Sequence, residues 1–306
     1  MTAKQIKNIA ASVRDRLLKL SKDLGIDFNR ILLLYTQERF LYRLMNSKYK
    51  DNFILKGGVL FYGVFQQKAR PTKDIDFLAI NLNNEKEEFK KVVYDIIAQK
   101  GEDGLEFDKS SLSAEEITED AEYQGLRIKV TSYLEKAHIV LQLDFGFGDI
   151  VYPKPISFNF PFLMDDSSFQ IYSYSWESVI AEKFEAIVKL SDLNSRMKDF
   201  YDLYIIMQLQ QFEGWTLQNA IHKTFINRET DLTNYNQIFS NDFKNSNEKH
   251  KQWQAFLRKN RLTVDKSFDK IIESIQNFIE PVVSSELNKK LSRLKWSGKK
   301  QEWLED

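Results

Sequence analysis

The sequence predicts an α+β protein in which helices lead into a mixed α/β unit and further helices follow. Three observations predict this. Apolar side chains recur at helical spacing before residue 50 and again after Trp176. Between 105 and 160 the apolar period shortens to that of strands. Two short apolar runs near 53–56 and 74–80 are set off by Gly57-Gly58 and by a proline turn at 70–71. The expected divisions are an N-terminal helical segment over 1–50, a mixed core over 51–165 and a C-terminal helical domain over 166–306.

Element by element, residues 4–24 and 28–47 read as amphipathic helices, the second carrying Ile31, Leu32, Tyr35, Phe40 and Leu44 on one side. FILK is a short buried strand ended by the glycine pair, and VLFYGVF continues as a buried helix. The stretch at 74–80 is a strand. Residues 85–99 form a helix with acids early and Phe89, Val92, Val93, Ile96 and Ile97 inward. GLRIKVTSYLE and AHIVLQLDFGFGD are two hairpin arms joined near Glu135-Lys136, and PKPISFNFPF is an edge segment, given its prolines. Helices are expected over 176–190, 196–211, 215–225, 246–259 and 265–284.

Composition removes several functional classes. The chain of 306 residues carries 44 basic and 44 acidic side chains, so a grossly basic nucleic-acid binder is excluded. Cysteine is absent, which excludes a disulfide scaffold, thiolate zinc and a cysteine nucleophile and fits a reduced cytoplasmic setting. His138, His222 and His250 lie far apart, without metal-ligand spacing. The N-terminus has no apolar signal core, and no window reaches the roughly 18 to 20 apolar residues of a membrane span. A soluble cytoplasmic protein with no membrane partner is expected. The zero total is a cancellation, however. Residues 1–50 hold 11 basic and 4 acidic side chains, 51–243 hold 19 and 31, and 244–300 hold 14 and 6. This is either ordinary solvated surface or a metal-binding middle with polyanion-binding flanks.

The chemistry concentrates in a few places. Asp74 and Asp76, at i and i+2 of a strand, point to one face about 6 to 7 Å apart. Amid Ile75, Phe77 and Leu78, two such carboxylates repel one another unless they lie at an exposed strand end or a cation neutralises them. Mg²⁺ suits that role, since it takes a few carboxylates plus substrate phosphates. Asp144 ends an alternating strand and could complete the site, because three acids can hold two ions roughly 4 Å apart for in-line phosphoryl or nucleotidyl transfer. Asp149 competes for that place, although the Gly146-x-Gly148 bend favours a turn aspartate. Gly57-Gly58, between strand and helix, lets backbone N–H groups approach a phosphate, and Lys56, Arg70 and Lys73 could meet the remaining triphosphate charge. Lys183 shares an apolar stripe with Trp176, Ile180, Ile187 and Leu190, where a lysine either snorkels to water or meets a partner or ligand. Asp202 lies in a helix apolar nearly all round, so it needs a cation such as Arg196 or Lys198, or a role orienting Lys183 or the acceptor. Glu38-Arg39 and Arg43 read as helix-surface or interdomain ion pairs. The run KKLSRLKWSGKK reads as a frayed tail or a partner or RNA surface.

In order and spacing, ERFLYRL (38–44), FILKGGVLFYG, RPTKDIDFL, LQLDFGFGD, AEKFEAIV and RMKDFYDLY together resemble the AbiEii/AbiGii-type nucleotidyltransferase toxins of bacterial abortive-infection toxin–antitoxin systems. The resemblance runs from about residue 10 to 210, and 211–306 match only as a generic helical tail. It implies a DNA-polymerase-β-like nucleotidyltransferase core over 51–165, flanked by the helical segments. It also implies an NTP and Mg²⁺ requirement, transfer of nucleotides to the 3′ end of tRNA, and an antitoxin, expected as a DNA-binding regulator. Residue by residue, Gly57-Gly58 takes the phosphate-loop position, Asp74 and Asp76 the metal pair, and Lys183 and Asp202 the later lysine and aspartate motifs. Where many nucleotidyltransferases have Gly-Ser, Gly58 replaces the serine, which removes a hydroxyl and keeps the backbone donor. The expected function is a Mg²⁺-dependent nucleotidyltransferase toxin acting on RNA, with catalytic Asp74, Asp76, Lys183 and Asp202. The rivals are a kinase-like phosphotransferase acting on protein and a non-catalytic RNA- or protein-binding module.

Overall fold

The computed structural model describes residues 8–119 and 123–305. Helix α1 (Ile9–Leu24) starts where Asn8 accepts from the Ala11 amide, and α2 (Phe28–Met45) starts where Asp27 accepts from the Asn29 amide. Residues 4–7 of the first expected helix lie outside the described residues. Strand β1 (Phe53–Lys56) runs into α3 (Gly57–Phe65), and β2 (Asp74–Ala79) is followed by α4 (Lys86–Ile97). Strands β3 (Glu106–Glu119), β4 (Tyr123–Leu134), β5 (Ala137–Gly146), β6 (Ile156–Pro161) and β7 (Ser168–Ser173) complete a seven-stranded sheet of order β3-β4-β5-β2-β1-β7-β6. The sheet is mixed: β2 pairs antiparallel with β1 and parallel with β5, and β4–β5 is the expected hairpin. β6 lies at the sheet edge, as its flanking prolines predict. β3 goes unassigned in the sequence reading, because its polar run EFDKSSLSAEEITE has no clean alternation.

The chain divides into two compact units, each assembled from separate stretches. The first holds residues up to Val64, Thr72–Gly148 and Ser157–Ser173, and the second holds Phe65–Pro71, Asp149–Ile156 and the chain from Tyr174 onward. In the first, strand alternation sends Phe53, Ile75, Phe77, Ile128, Leu143 and Phe145 into the core. Phe145 meets Phe53 at 5.2 Å, Phe89 of α4 at 5.0 Å and Phe77 at 5.6 Å between ring centroids. Val13 and Leu17 of α1 join Ile31, Leu32 and Tyr35 of α2 in an adjoining cluster.

The ion pairs of α2, expected at the helix surface or between domains, are buried within the first unit. Arg43 is 3% exposed and grips both oxygens of Asp103 at 2.7 and 3.0 Å. Glu38 is 2% exposed, accepting from Arg39 and from the Leu163 amide. α2 is covered on several sides, so helical charge spacing alone misplaces these groups at the surface.

The second unit contains α5 (Trp176–Leu190), α6 (Met197–Leu209), β8 (Gln211–Glu213), α7 (Gly214–Asn227), α8 (Asn241–Lys244), α9 (Asn247–Asn260), α10 (Phe268–Leu287), β9 (Leu294–Ser297) and β10 (Glu302–Glu305). Its core gathers Phe184, Ile187, Phe200, Ile206, Trp253, Phe268 and Phe278. Part of the run expected to fray is strand: β8, β9 and β10 form a small sheet, and the Trp296 indole donates to the Met207 carbonyl at 2.6 Å. The Trp303 indole donates to the Phe278 carbonyl at 2.9 Å, just before Pro281 interrupts the helical ladder of α10.

Candidate active site

Alternation along β2 that buries Ile75 and Phe77 turns Asp74 and Asp76 to the opposite face. The parallel register of β5 sets Gln142 beside Asp74 and Asp144 beside Asp76. One carboxylate oxygen from each of Asp74, Asp76 and Asp144 then lies within 4.8 Å of the others. Three carboxylates so close repel one another, and hard oxygen donors of this number fit a divalent cation such as Mg²⁺. Asp74 is oriented by Thr72, whose hydroxyl donates to its Oδ1 at 2.6 Å.

The glycine pair makes room for these acids. Gly57 has φ of +67°, and a Cβ there would fall 1.8 Å from Asp76 Oδ2. A Cβ on Gly58 would fall 2.5 Å from Thr72 Cβ and 2.6 Å from its hydroxyl oxygen. The space that a loop serine would need is thus filled by Thr72, and a hydroxyl is present beside the loop although residue 58 is glycine. Lys56 pairs across the strands with Asp76 in register, so it shares that face, and Lys73 is exposed before β2.

Sequence reasoning missed Arg127. In β4 it stands opposite Asp144, and its Nε and Nη2 donate to Oδ1 and Oδ2 at 2.9 and 2.8 Å. Beyond it stands Glu115 of β3, giving a straight cross-strand row of Lys56, Asp76, Asp144, Arg127 and Glu115. A signal for it existed. A hairpin turning at Glu135-Lys136 pairs residues equidistant from the turn, and 127 and 144 are such a pair.

In the second unit, Lys183 of α5 meets Asp202 of α6 at 2.5 Å and Asp199 at 3.1 Å. Arg70 grips Asp202 through Nε and Nη2, each at 3.1 Å from an oxygen, and Arg196 reaches Asp199 at 2.8 Å. Of the partners expected for Asp202, it is Lys183 that meets it, together with Arg70, while Arg196 serves Asp199. Asp199 and Asp202 are 2% and 0% exposed at the side chain. Burial works against the Asp199 carboxylate, but Lys183 and Arg196 hold its pKa down to about 2. Stability from that group is full above its unfolded value and is lost as pH falls through about 2, so the Asp199 carboxylate stays ionised at neutral pH. Removing one member leaves an uncompensated buried charge, worth about 3–5 kcal/mol.

A family model for the nucleotidyl transferase AbiEii toxin of type IV toxin–antitoxin systems matches residues 39–274. The chain belongs to the AbiEii nucleotidyltransferase toxin family. That membership carries a nucleotide substrate and an antitoxin counterpart with it. No curated protein matches the chain. Among solved structures, JHP933 from Helicobacter pylori superposes with a TM-score of 0.50 at 12% identity, covering 86% of this chain and 95% of its own. A second H. pylori chain, described as a nucleotidyltransferase candidate, gives 0.48 at 12% identity, covering 86% and 96%. The first likeness is one of fold, and the α+β class with a nucleotidyltransferase-type mixed sheet stands.

The AbiEii match spans Lys56, Gly57, Gly58, Arg70, Lys73, Asp74, Asp76, Asp144, Lys183 and Asp202. Asp149, the competitor for third acid, is instead held by Arg228 at 2.9 Å in the second unit, beside Glu182 and Tyr174. Burial, with the Glu182 and Asp149 carboxylates adding to it, pushes the Tyr174 hydroxyl well above the usual tyrosine range. Among the described residues, no helix is long and apolar enough to cross a membrane.

Proposed function

We propose that this AbiEii-family chain transfers a nucleoside monophosphate from an NTP to the 3′ end of an RNA, with tRNA as the acceptor, and does so with Mg²⁺. The observation that carries the reading is the carboxylate triad of Asp74, Asp76 and Asp144 on one sheet face in a chain of a nucleotidyltransferase family. A Mg²⁺ ion held there would neutralise the triphosphate charge that develops as the bond to pyrophosphate breaks.

The chain's own residues have distinct tasks in this reading. Asp74 and Asp76 hold the ion, with Thr72 fixing Asp74, and Asp144 is the third acid. Gly57-Gly58 lets the phosphates approach the backbone, and Lys56 and Lys73 meet their charge. The acceptor 3′ hydroxyl attacks the α-phosphorus in line, the P–O bond to the β-phosphate breaks, and pyrophosphate leaves. Lys183 and Asp202 enter through the family's later motifs, with Asp202 orienting Lys183 through their ion pair. The setting is the cytoplasm, and toxicity follows from tRNA that can no longer be aminoacylated, in the manner of abortive infection.

Incubation of the chain with purified tRNA and NTP labelled at the α position is expected to label the RNA. Asp76→Asn is expected to abolish that transfer by at least 100-fold, since ion neutralisation and positioning are lost together, at an unchanged far-UV circular dichroism spectrum. Label in protein from γ-labelled NTP would instead establish a phosphotransferase, and full toxicity of the variant would sink the enzymatic account.

A further inference from the structure

We propose that Arg127 is the resident counter-ion of the carboxylate triad. It holds both oxygens of Asp144, so that a divalent cation gains this third ligand only as the guanidinium turns away. The inference rests on the metal reading of the triad above and adds a residue that the reading does not use.

Four observations lead to it. The grip is two-pronged, with Nε on Oδ1 at 2.9 Å and Nη2 on Oδ2 at 2.8 Å, so each Asp144 oxygen already accepts a hydrogen bond from the guanidinium. The hairpin register sets the two residues directly opposite, so the pairing is built into the sheet. Gln142 supports it: with its amide turned so that the oxygen faces the guanidinium, it accepts from Arg127 Nε at 3.0 Å and Nη2 at 3.3 Å. Finally, Arg127 has somewhere to go. Its side chain is 29% exposed, and Glu115 of the neighbouring strand lies 3.9 Å from Nη1, already paired with Lys129 at 2.7 Å.

The electrostatic consequence has a definite sign. Three carboxylates within 4.8 Å would repel strongly if left alone. Arg127 relieves one of them without any ion, which stabilises the ion-free sheet. The same positive charge disfavours a divalent cation arriving beside Asp144. Arg127 therefore weakens intrinsic ion binding and keeps the triad folded in its absence. Ion binding then becomes an exchange in which the guanidinium moves from Asp144 toward Glu115.

The test is a titration of the full chain with Mn²⁺ alone, free Mn²⁺ being read by electron paramagnetic resonance. Arg127→Gln is expected to bind Mn²⁺ at least about tenfold more tightly than wild type, as removal of a near unit charge requires. Arg127→Lys, which keeps the charge, should stay much closer to wild type. Glu115→Gln, which removes the alternative partner, should weaken binding. If Arg127→Gln fails to fold, the Glu115→Gln and Arg127→Lys titrations decide the matter. Unchanged or weaker Mn²⁺ binding in a folded Arg127→Gln overturns the proposal, as does unchanged binding in Glu115→Gln. Asp76→Asn separates the two readings. If it binds Mn²⁺ as wild type does, the metal site itself fails. If it loses the ion while Arg127→Gln matches wild type, only the counter-ion fails.

Discussion

Gly57 and Gly58 do different work although they are neighbours. Gly57 adopts a positive φ of +67° and leaves room for the Asp76 carboxylate, so a side chain there would collide with that carboxylate directly. Gly58 leaves room for Thr72, which in turn orients Asp74. Putting the common loop serine into this chain is therefore predicted to harm it. Gly58→Ser should destabilise by about 1–3 kcal/mol through overpacking. Combining it with Thr72→Gly should recover much of that loss, giving a coupling that a double-mutant cycle of urea denaturation would measure. Simple additivity of the two changes would show that the clash is relieved some other way. At this scale a motif letter that reads as a departure from a pattern is a compensated swap, glycine in one place for a hydroxyl in another.

Among elements, α2 carries buried charge. Burial pushes the Glu38 carboxyl up to about 7 from its ordinary 4.5, with Arg39 and the Leu163 amide only partly opposing it. A raised carboxylate pKa means that the folded state prefers the protonated form. Its contribution to stability is full below the unfolded value and is lost as pH rises through about 7. Glu38→Gln removes that dependence. The stability of the variant relative to wild type should therefore rise between pH 4.5 and 8, by up to about 3 kcal/mol. Urea denaturation at several pH values checks this, and a difference that stays flat would mean the carboxylate is ionised throughout. Arg43 on the same helix is held by Asp103, so α2 is fastened by buried charge as well as by its apolar stripe. Helical periodicity finds the stripe and is silent about the charges.

For the whole molecule, the C-terminal run is part of the second unit's core. Trp296 is 2% exposed, its ring lies 4.8 Å from Phe278, and its indole is satisfied by the Met207 carbonyl. Trp296→Ala should cost about 3–5 kcal/mol, the usual loss for emptying a buried tryptophan site. Urea denaturation followed by circular dichroism would register it, and an unchanged midpoint would mean that the run merely decorates the surface. Of the basic residues around it, Lys295 lies in β9 and Lys299 and Lys300 in the turn to β10, so an excess of positive charge in sequence does not by itself mark a loose tail.

The one-dimensional pattern determined the order of helices and strands, the facing of Asp74 and Asp76 on β2, the hairpin that brings Asp144 to a strand end, and the family likeness that assembles them. These follow from periods of 2 and 3.6 and from turn chemistry, which act between near neighbours. Only the tertiary structure decided that Asp144 completes the triad and Asp149 does not, that Arg127 grips Asp144, that Thr72 fills the space beside Gly58, and that Lys183 and Arg70 share Asp202. Each of those depends on cross-strand register or on burial, which join residues far apart in the chain. A buried charge must find a partner wherever the fold supplies one, and local sequence does not say where that is.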